Sequence, residues 1–157
     1  MADIQLQFDE ISKILPNYII EIGVLSTETK RKEVVKVGLT NAELMFIHEN
    51  GSALRHIPAR PVLKMTFDWA KSSDLIVKTV SSCIGAYIAT GSLEAVDKEM
   101  NKFCLKLQNY ARQIIYKNDG RLVPNAPSTI ARKGDNHPLF DTGQLARSIT
   151  CRAIRIK

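Results

Sequence analysis

Between Thr90-Gly91-Ser92 and Asn118-Asp119-Gly120 the chain carries Val96, Met100, Phe103, Leu107, Tyr110 and Ile114, at alternating steps of four and three. That spacing returns to one face of a 3.6-residue helix each time, and a stripe so long has to be buried against other elements. Gly91 followed by Ser92 reads as a helix stop and a new cap, and Asn118 to Gly120 as the next stop. Upstream, Pro61 suits the first turn of a helix, where its missing N–H costs nothing. From there to Ala89 only Gly85 opposes helix, and Leu63, Phe67 and Ala70, then Ile76, Val80, Cys83 and Tyr87, supply apolar stripes. Two long helices over about 61–118, joined by a short turn, are expected to pack as an antiparallel hairpin.

Shorter elements surround that hairpin. Ile4, Phe8, Ile11 and Leu15 mark an N-terminal helix stopped by Pro16. Tyr18, Ile20, Ile22 and Val24 alternate as in a half-buried strand, and the β-branched stretch 33–39 reads as its partner in a β-hairpin with a long charged tip. Asn41 is expected to cap a short helix that Gly51 ends after Asn50. Residues 52–61 read as an extended loop, because positions before proline avoid the α region. The Pro-, Gly- and Asn-rich segment at about 120–140 is expected to be an ordered or mobile functional loop, with one helical turn from Pro127 to Lys133 stopped by Gly134. The helical stripes and the hairpin lie outside residues 122–137, so removal of those residues is expected to leave a folded monomer. A short helix QLARSI and a strand TCRAIRIK close the chain, and the strand's change of phase at Ala153–Ile154 implies a bulge or burial on both faces. This order predicts one α+β domain over 1–157, a small mainly antiparallel sheet with an N-terminal helix and a long helical hairpin. The length of 157 residues and an apolar content of 45% suit a single core.

Several chemistries find no support. There is no basic-then-apolar leader, and no run approaches the ~18 apolar residues of a membrane span, so cytoplasmic synthesis without a membrane is expected. Cys83, Cys104 and Cys151 are widely spaced and lack C-x-x-C, which makes them small buried hydrophobes in a reducing compartment. His48, Glu49 and His56 lack the His-Glu-x-x-His spacing of a metal site, and no phosphate loop, dinucleotide fingerprint or nucleophile elbow occurs. No enzyme activity, metal or cofactor is expected. PLFDTGQL, residues 138–145, has the look of an aspartic-protease segment, but that chemistry needs two carboxylates sharing a proton within a β-rich fold. Asp141 is instead expected to cap the following helix, with Gln144 at its third position as a capping-box variant.

The formal net charge is +6, which admits nucleic acid or an acidic protein surface as a partner. The basic residues are scattered except for Lys30, Arg31 and Lys32 in the hairpin tip and Arg152, Arg155 and Lys157 at the end, with no interleaved aromatics for base stacking. Arg60 stands between Pro58 and Pro61, which limit its backbone freedom. It reads either as a planar clamp on a carboxylate or carbonyl, within the fold or on a neighbouring subunit, or as an ordinary solvent-facing arginine.

Two blocks carry a family resemblance. IHENGSALRHIPARPVLK resembles the "E-x-G … I-P-A-R-P-F-L" segment, and VPNAPSTIARKGDNHPLFDTGQLARSIT the "P-N-A-P-S-T-I … K-G … P-L-x-D-T-G-x-L-x-x-S-I" segment, of the tail-completion or virion-morphogenesis proteins of long-tailed bacteriophages. The matching positions are Glu49, Gly51, Pro58, Arg60 and Pro61, then Pro127, Thr129, Lys133, Gly134, Pro138, Leu139, Asp141, Thr142, Gly143, Leu145 and Ser148. Asn50 stands where an aromatic is common and Val62 where Phe is common. The resemblance implies a non-enzymatic virion component at the head–tail junction (the neck) or the top of the tail, assembled in the host cytoplasm. Such proteins complete and join tails as rings of their own copies against neighbouring neck and tail proteins. Arg60, Thr129, Lys133 and the tip Lys30, Arg31 and Lys32 are then the expected subunit or partner contacts. The alternative is a basic nucleic-acid-binding module, and a ring lining a DNA channel would also touch DNA non-specifically.

Overall fold

The computed structural model describes residues 2–25 and 38–156. Its spine is a helix from Leu93 to Lys117, here α5 in the order α1 to α7, about 37 Å long at 1.5 Å per residue. The Ser92 hydroxyl accepts from the Glu94 N–H at 3.2 Å, and Asn118 leaves the helix in a left-handed conformation. Its buried face holds Val96, Met100, Cys104, Leu107, Ala111, Ile114 and Ile115, so the stripe sits slightly round from the sequence reading. Phe103 and Tyr110 flank it half-buried, while Cys104 and Ala111 keep the centre narrow.

The expected first helix of the hairpin is two helices, α3 (Val62–Ser72) and α4 (Leu75–Thr90), broken at Ser73–Asp74. The hydroxyls of Ser72 and Ser73 turn back to the carbonyls of Trp69 and Ala70, the local competition with helix that a serine pair offers. The break lets both helices reach α5. From α3, Trp69 stacks on Tyr110 with ring centroids 4.0 Å apart, and the buried face is Val62, Thr66 and Ala70 rather than one containing Phe67. Thr66 is tolerated inside because its hydroxyl donates to the Val62 carbonyl at 2.8 Å. Gly91, in the left-handed region, turns α4 antiparallel onto α5.

Helix α1 (Ala2–Ile14) runs into a 3-10 turn, Leu15–Asn17, that contains Pro16. Ile11 is fully buried, whereas Ile4 and Phe8 of the same stripe are about half exposed. Strand β1 (Tyr18–Val24) pairs antiparallel with β2 (Ile149–Arg155), from Tyr18 opposite Arg155 to Val24 opposite Ile149. The register is continuous, so there is no bulge at Ala153–Ile154; both residues are half-buried on opposite faces. Most of the expected hairpin partner and its tip with Lys30, Arg31 and Lys32 lie outside the described residues. The other edge of β2 is closed by α5: Arg112 donates to the Ile149 carbonyl at 2.8 Å, and the Gln108 side chain accepts from the Cys151 N–H. The thiols of Cys104 and Cys151 meet across this contact, and the hydrogen bond between them and burial hold Cys151 well above the usual thiol range.

Helix α2 (Asn41–Asn50) starts one residue earlier than expected. Thr40 is the cap, in a full capping box with Glu43, and Asn41 is buried in the first turn. Glu43 decides between the two, since it lies three residues from Thr40 and not from Asn41. At the far end of α2 the Glu49 carboxylate accepts from the N–H groups of Leu63 and Lys64, at 3.0 and 2.8 Å. It thereby caps α3, whose own N-cap, Pro61, offers no side-chain acceptor. Gly51 follows at φ 74, where a Cβ would lie 2.8 Å from the Ala59 nitrogen, so only glycine fits the return of the chain.

Replacing Glu49 with Ala is expected to lower stability by about 1–2 kcal/mol, with Glu49→Gln losing less because its carbonyl oxygen still accepts. Thermal unfolding of the two variants checks this, and an Ala variant as stable as the parent would refute the capping role.

Candidate functional site

Past Gly51 the chain closes a tight turn rather than running extended. Ser52 and Ile57 exchange both backbone hydrogen bonds, at 2.8 and 2.9 Å, with His56 at φ 52 in the turn and Leu54 at its tip, 91% exposed. Only from Pro58 onward is the segment open, and it delivers Arg60 into the interior, where 5% of it remains exposed. Its Nε donates to the Val123 carbonyl at 2.7 Å and its Nη2 to that of Pro124 at 2.8 Å. Of the expected roles, the clamp on backbone carbonyls within the fold is the one found. Arg60 is therefore not a surface contact for a neighbouring subunit, and burial lowers its pKa without neutralising it.

The segment held by Arg60 is ordered by side chains that capture backbone. Leu122 is buried in the main core with Met45, Val62 and Ile115. Asn118 donates to the Asn136 carbonyl, and the Asn136 side chain accepts from the Asn125 N–H. Helix α6 (Pro127–Lys133) ends at Gly134, as its sequence indicates. Lys133 then folds under the loop and donates to the carbonyls of His137 and Phe140. Its side chain is 18% exposed, so the expectation that it contacts a partner is corrected: its ammonium group serves the fold. Between those carbonyls Leu139 sits at φ 60, an uncommon conformation for leucine that the two bonds to Lys133 hold in place. His137 donates from Nε2 to the Ile115 carbonyl at 2.6 Å and stacks on Phe140. With these ties to the core, residues 122–137 are built into the domain rather than carried outside it.

The DTG triplet also takes a different form from that expected. Helix α7 (Gln144–Ser148) begins at Gly143, which is its N-cap in a left-handed conformation and makes no side-chain capping bond. Asp141 is exposed and does not cap; Gln144 is the first helical residue, not the third. The offset arises because Arg147 donates to the Thr142 carbonyl at 2.9 Å and covers Gly143, where a Cβ would lie 3.0 Å from its guanidinium. The triplet is a helix start through its glycine.

The two sequence blocks thus face each other across an open groove of about 570 Å³. Turn 52–57 and α2 supply Leu44, His48, Arg55 and Ile57 on one side; α6 and the segment after it supply Thr129, Arg132, Leu139 and Asp141 on the other. Thr129, an expected partner contact, is half-buried on this wall. Glu49 points away to α3, so His48, Glu49 and His56 do not converge. His48 is pushed down to about 4 by burial and, secondarily, by the Arg60 charge, so its ring is neutral. Two buried polar atoms on the groove, His48 Nδ1 and Asn125 Nδ2, have no hydrogen-bond partner. Asn125 falls within the P-N-A-P-S-T-I motif without a role of its own there, and Arg132 carries no signal in the sequence; both are placed on the groove only by the fold. No helix of the described residues is long and apolar enough to cross a membrane. No family model, curated protein or solved structure matches the chain.

Two outcomes follow from this geometry. Arg60→Lys, which keeps the charge but not the fork, is expected to cost about 2 kcal/mol and to expose the chain to trypsin at Arg121; limited proteolysis of the folded variant at the parental rate would contradict it. For His48, the unfolded chain takes up a proton near pH 6.5 and the folded one near 4, so stability is complete above 6.5 and falls as the pH drops between them. The loss is on the order of 2 kcal/mol after allowing for solvent at a half-buried ring, and it is expected to disappear from the pH–stability curve of His48→Gln.

Proposed function

We propose that the protein is a structural component of a phage virion, placed at the neck or the top of the tail, where copies of it form a ring that completes the tail and joins it to the head. One observation carries the reading. Two blocks that resemble tail-completion proteins, separated by about sixty residues of helix, are brought together around one groove, and their matching residues have architectural rather than chemical tasks. Glu49 caps a neighbouring helix, Gly51 permits a close chain return, Arg60 and Lys133 hold backbone carbonyls, and Gly143 starts α7. Pro58 and Pro61 confine the clamp, while Gly134 ends α6, Pro138 and Leu145 are buried beside the segment, and Thr142 lends its carbonyl to Arg147. A rigid, basic subunit of this kind suits a repeated heterologous contact, in which two different patches on each copy match.

Deleting the gene from the phage or prophage that carries it, and imaging the particles by electron microscopy, tests the proposal. Separate filled heads and unjoined tails are expected, and complementation restores joined particles. Normal virions from the deletion would rule the role out. Tight binding of a DNA duplex by the purified protein, falling steeply as salt rises, would instead favour a nucleic-acid-binding module, the reading that a net charge of +6 also admits.

A further inference from the structure

We infer that the groove between turn 52–57 and α6 is a docking site for an extended, carboxylate-bearing peptide segment of another protein. Charge is the first reason. Arg55 and Arg132 approach the groove from its two sides, both exposed, and among the described residues neither forms an ion pair or a side-chain hydrogen bond. Arg60 and Lys133 lie beneath with their donors engaged by neutral carbonyls, so neither charge has a carboxylate within hydrogen-bond distance among the described residues. Lys133 has Asp135 only at 3.9 Å, and Asp141 is the one carboxylate among the described lining residues.

Hydrogen bonding is the second reason. Asn125 Nδ2 is a buried donor without an acceptor, and His48 Nδ1 is a second buried polar atom without a partner. Groups left so are rare in folded proteins, and both lie on the groove. A backbone carbonyl or carboxylate oxygen entering beside α6 would satisfy the Asn125 amide once that shielded side chain turns toward the groove. The floor is apolar, formed by Ile57, Pro58, Leu139 and Leu145, and seats side chains between the charged rims. This combination fits a peptide better than a nucleic acid. Phe140 is taken up by its contacts with His137 and Tyr116, leaving no open Phe, Tyr or Trp ring in the lining for base stacking, and a convex duplex does not enter a concavity of about 570 Å³.

The inference rests on the proposed virion role only for the identity of the partner, a neighbouring neck or tail protein. Peptide recognition by the groove stands or falls separately. The test is titration of the isotope-labelled full chain, followed by amide chemical shifts, with the acetylated and amidated pentapeptide Asp-Glu-Leu-Asp-Glu, its counterpart Lys-Lys-Leu-Lys-Lys, and a short DNA duplex. The acidic peptide is expected to shift amides of the turn and of α6, and the lysine peptide to leave them unmoved. Arg55→Glu combined with Arg132→Glu is expected to weaken binding about tenfold or more, Asn125→Ala to weaken it with unchanged thermal stability, and Asp141→Asn to strengthen it. Equal responses to both peptides, or none at millimolar peptide, would overturn the inference. So would a larger response to the duplex, which would assign the groove to nucleic acid. Because both arginines are exposed, retention of the dispersed spectrum in the double variant separates lost binding from lost folding.

Discussion

A guanidinium withdrawn from water keeps its charge and must be given acceptors, and the rest of the architecture is arranged around how Arg60 is supplied with them. The carbonyls it uses belong to Val123 and Pro124, more than sixty residues away in the chain. The requirement runs both ways. Without the fork, two carbonyls in a partly buried contact would lose their donors, and without those carbonyls the buried charge would be stranded. Turn 52–57 and the segment after α5 therefore come as a pair. The prolines on either side of Arg60 make the arrangement inexpensive in entropy, because the backbone that aims the fork has little freedom to lose.

The same device recurs through the segment that follows. Lys133, Asn118, His137 and Arg147 each give a side-chain donor to a main-chain carbonyl. A stretch with hardly any regular secondary structure is thus ordered by side chains doing what a sheet or helix does elsewhere. The result is a rigid wall standing opposite the end of α2. Several donors on that wall are engaged below its surface, while Arg132 on it and Arg55 on the turn opposite form no ion pair among the described residues.

Behind the groove, α5 orders the remainder. Its narrow central face lets α3, α4 and β2 approach closely, and its polar flank closes the edge of β2 through Gln108 and Arg112. Since the loop segment is anchored at Ile115 near the end of the same helix, the groove and the sheet share one rigid support.

Elements governed by neighbours along the chain were legible in the residues alone: α5 with its Ser92 cap, α6 between Pro127 and Gly134, the turn at Gly91, and the antiparallel α+β class. Periodicity and caps act within one or two helical turns, so they can be read without knowing the fold. The sequence also marked Arg60 as constrained, while leaving its acceptor open. Only tertiary structure decided that its acceptors were carbonyls of the same chain, that Glu49 caps α3 rather than serving a site, and that Gly143 rather than Asp141 begins α7. It also decided which apolar residues stay in water, as Ile4, Phe8 and Phe67 do. Those outcomes depend on what lies across space from each side chain. A hydrogen-bond donor or an apolar stripe states a need in one dimension, and the partner that meets it is chosen in three.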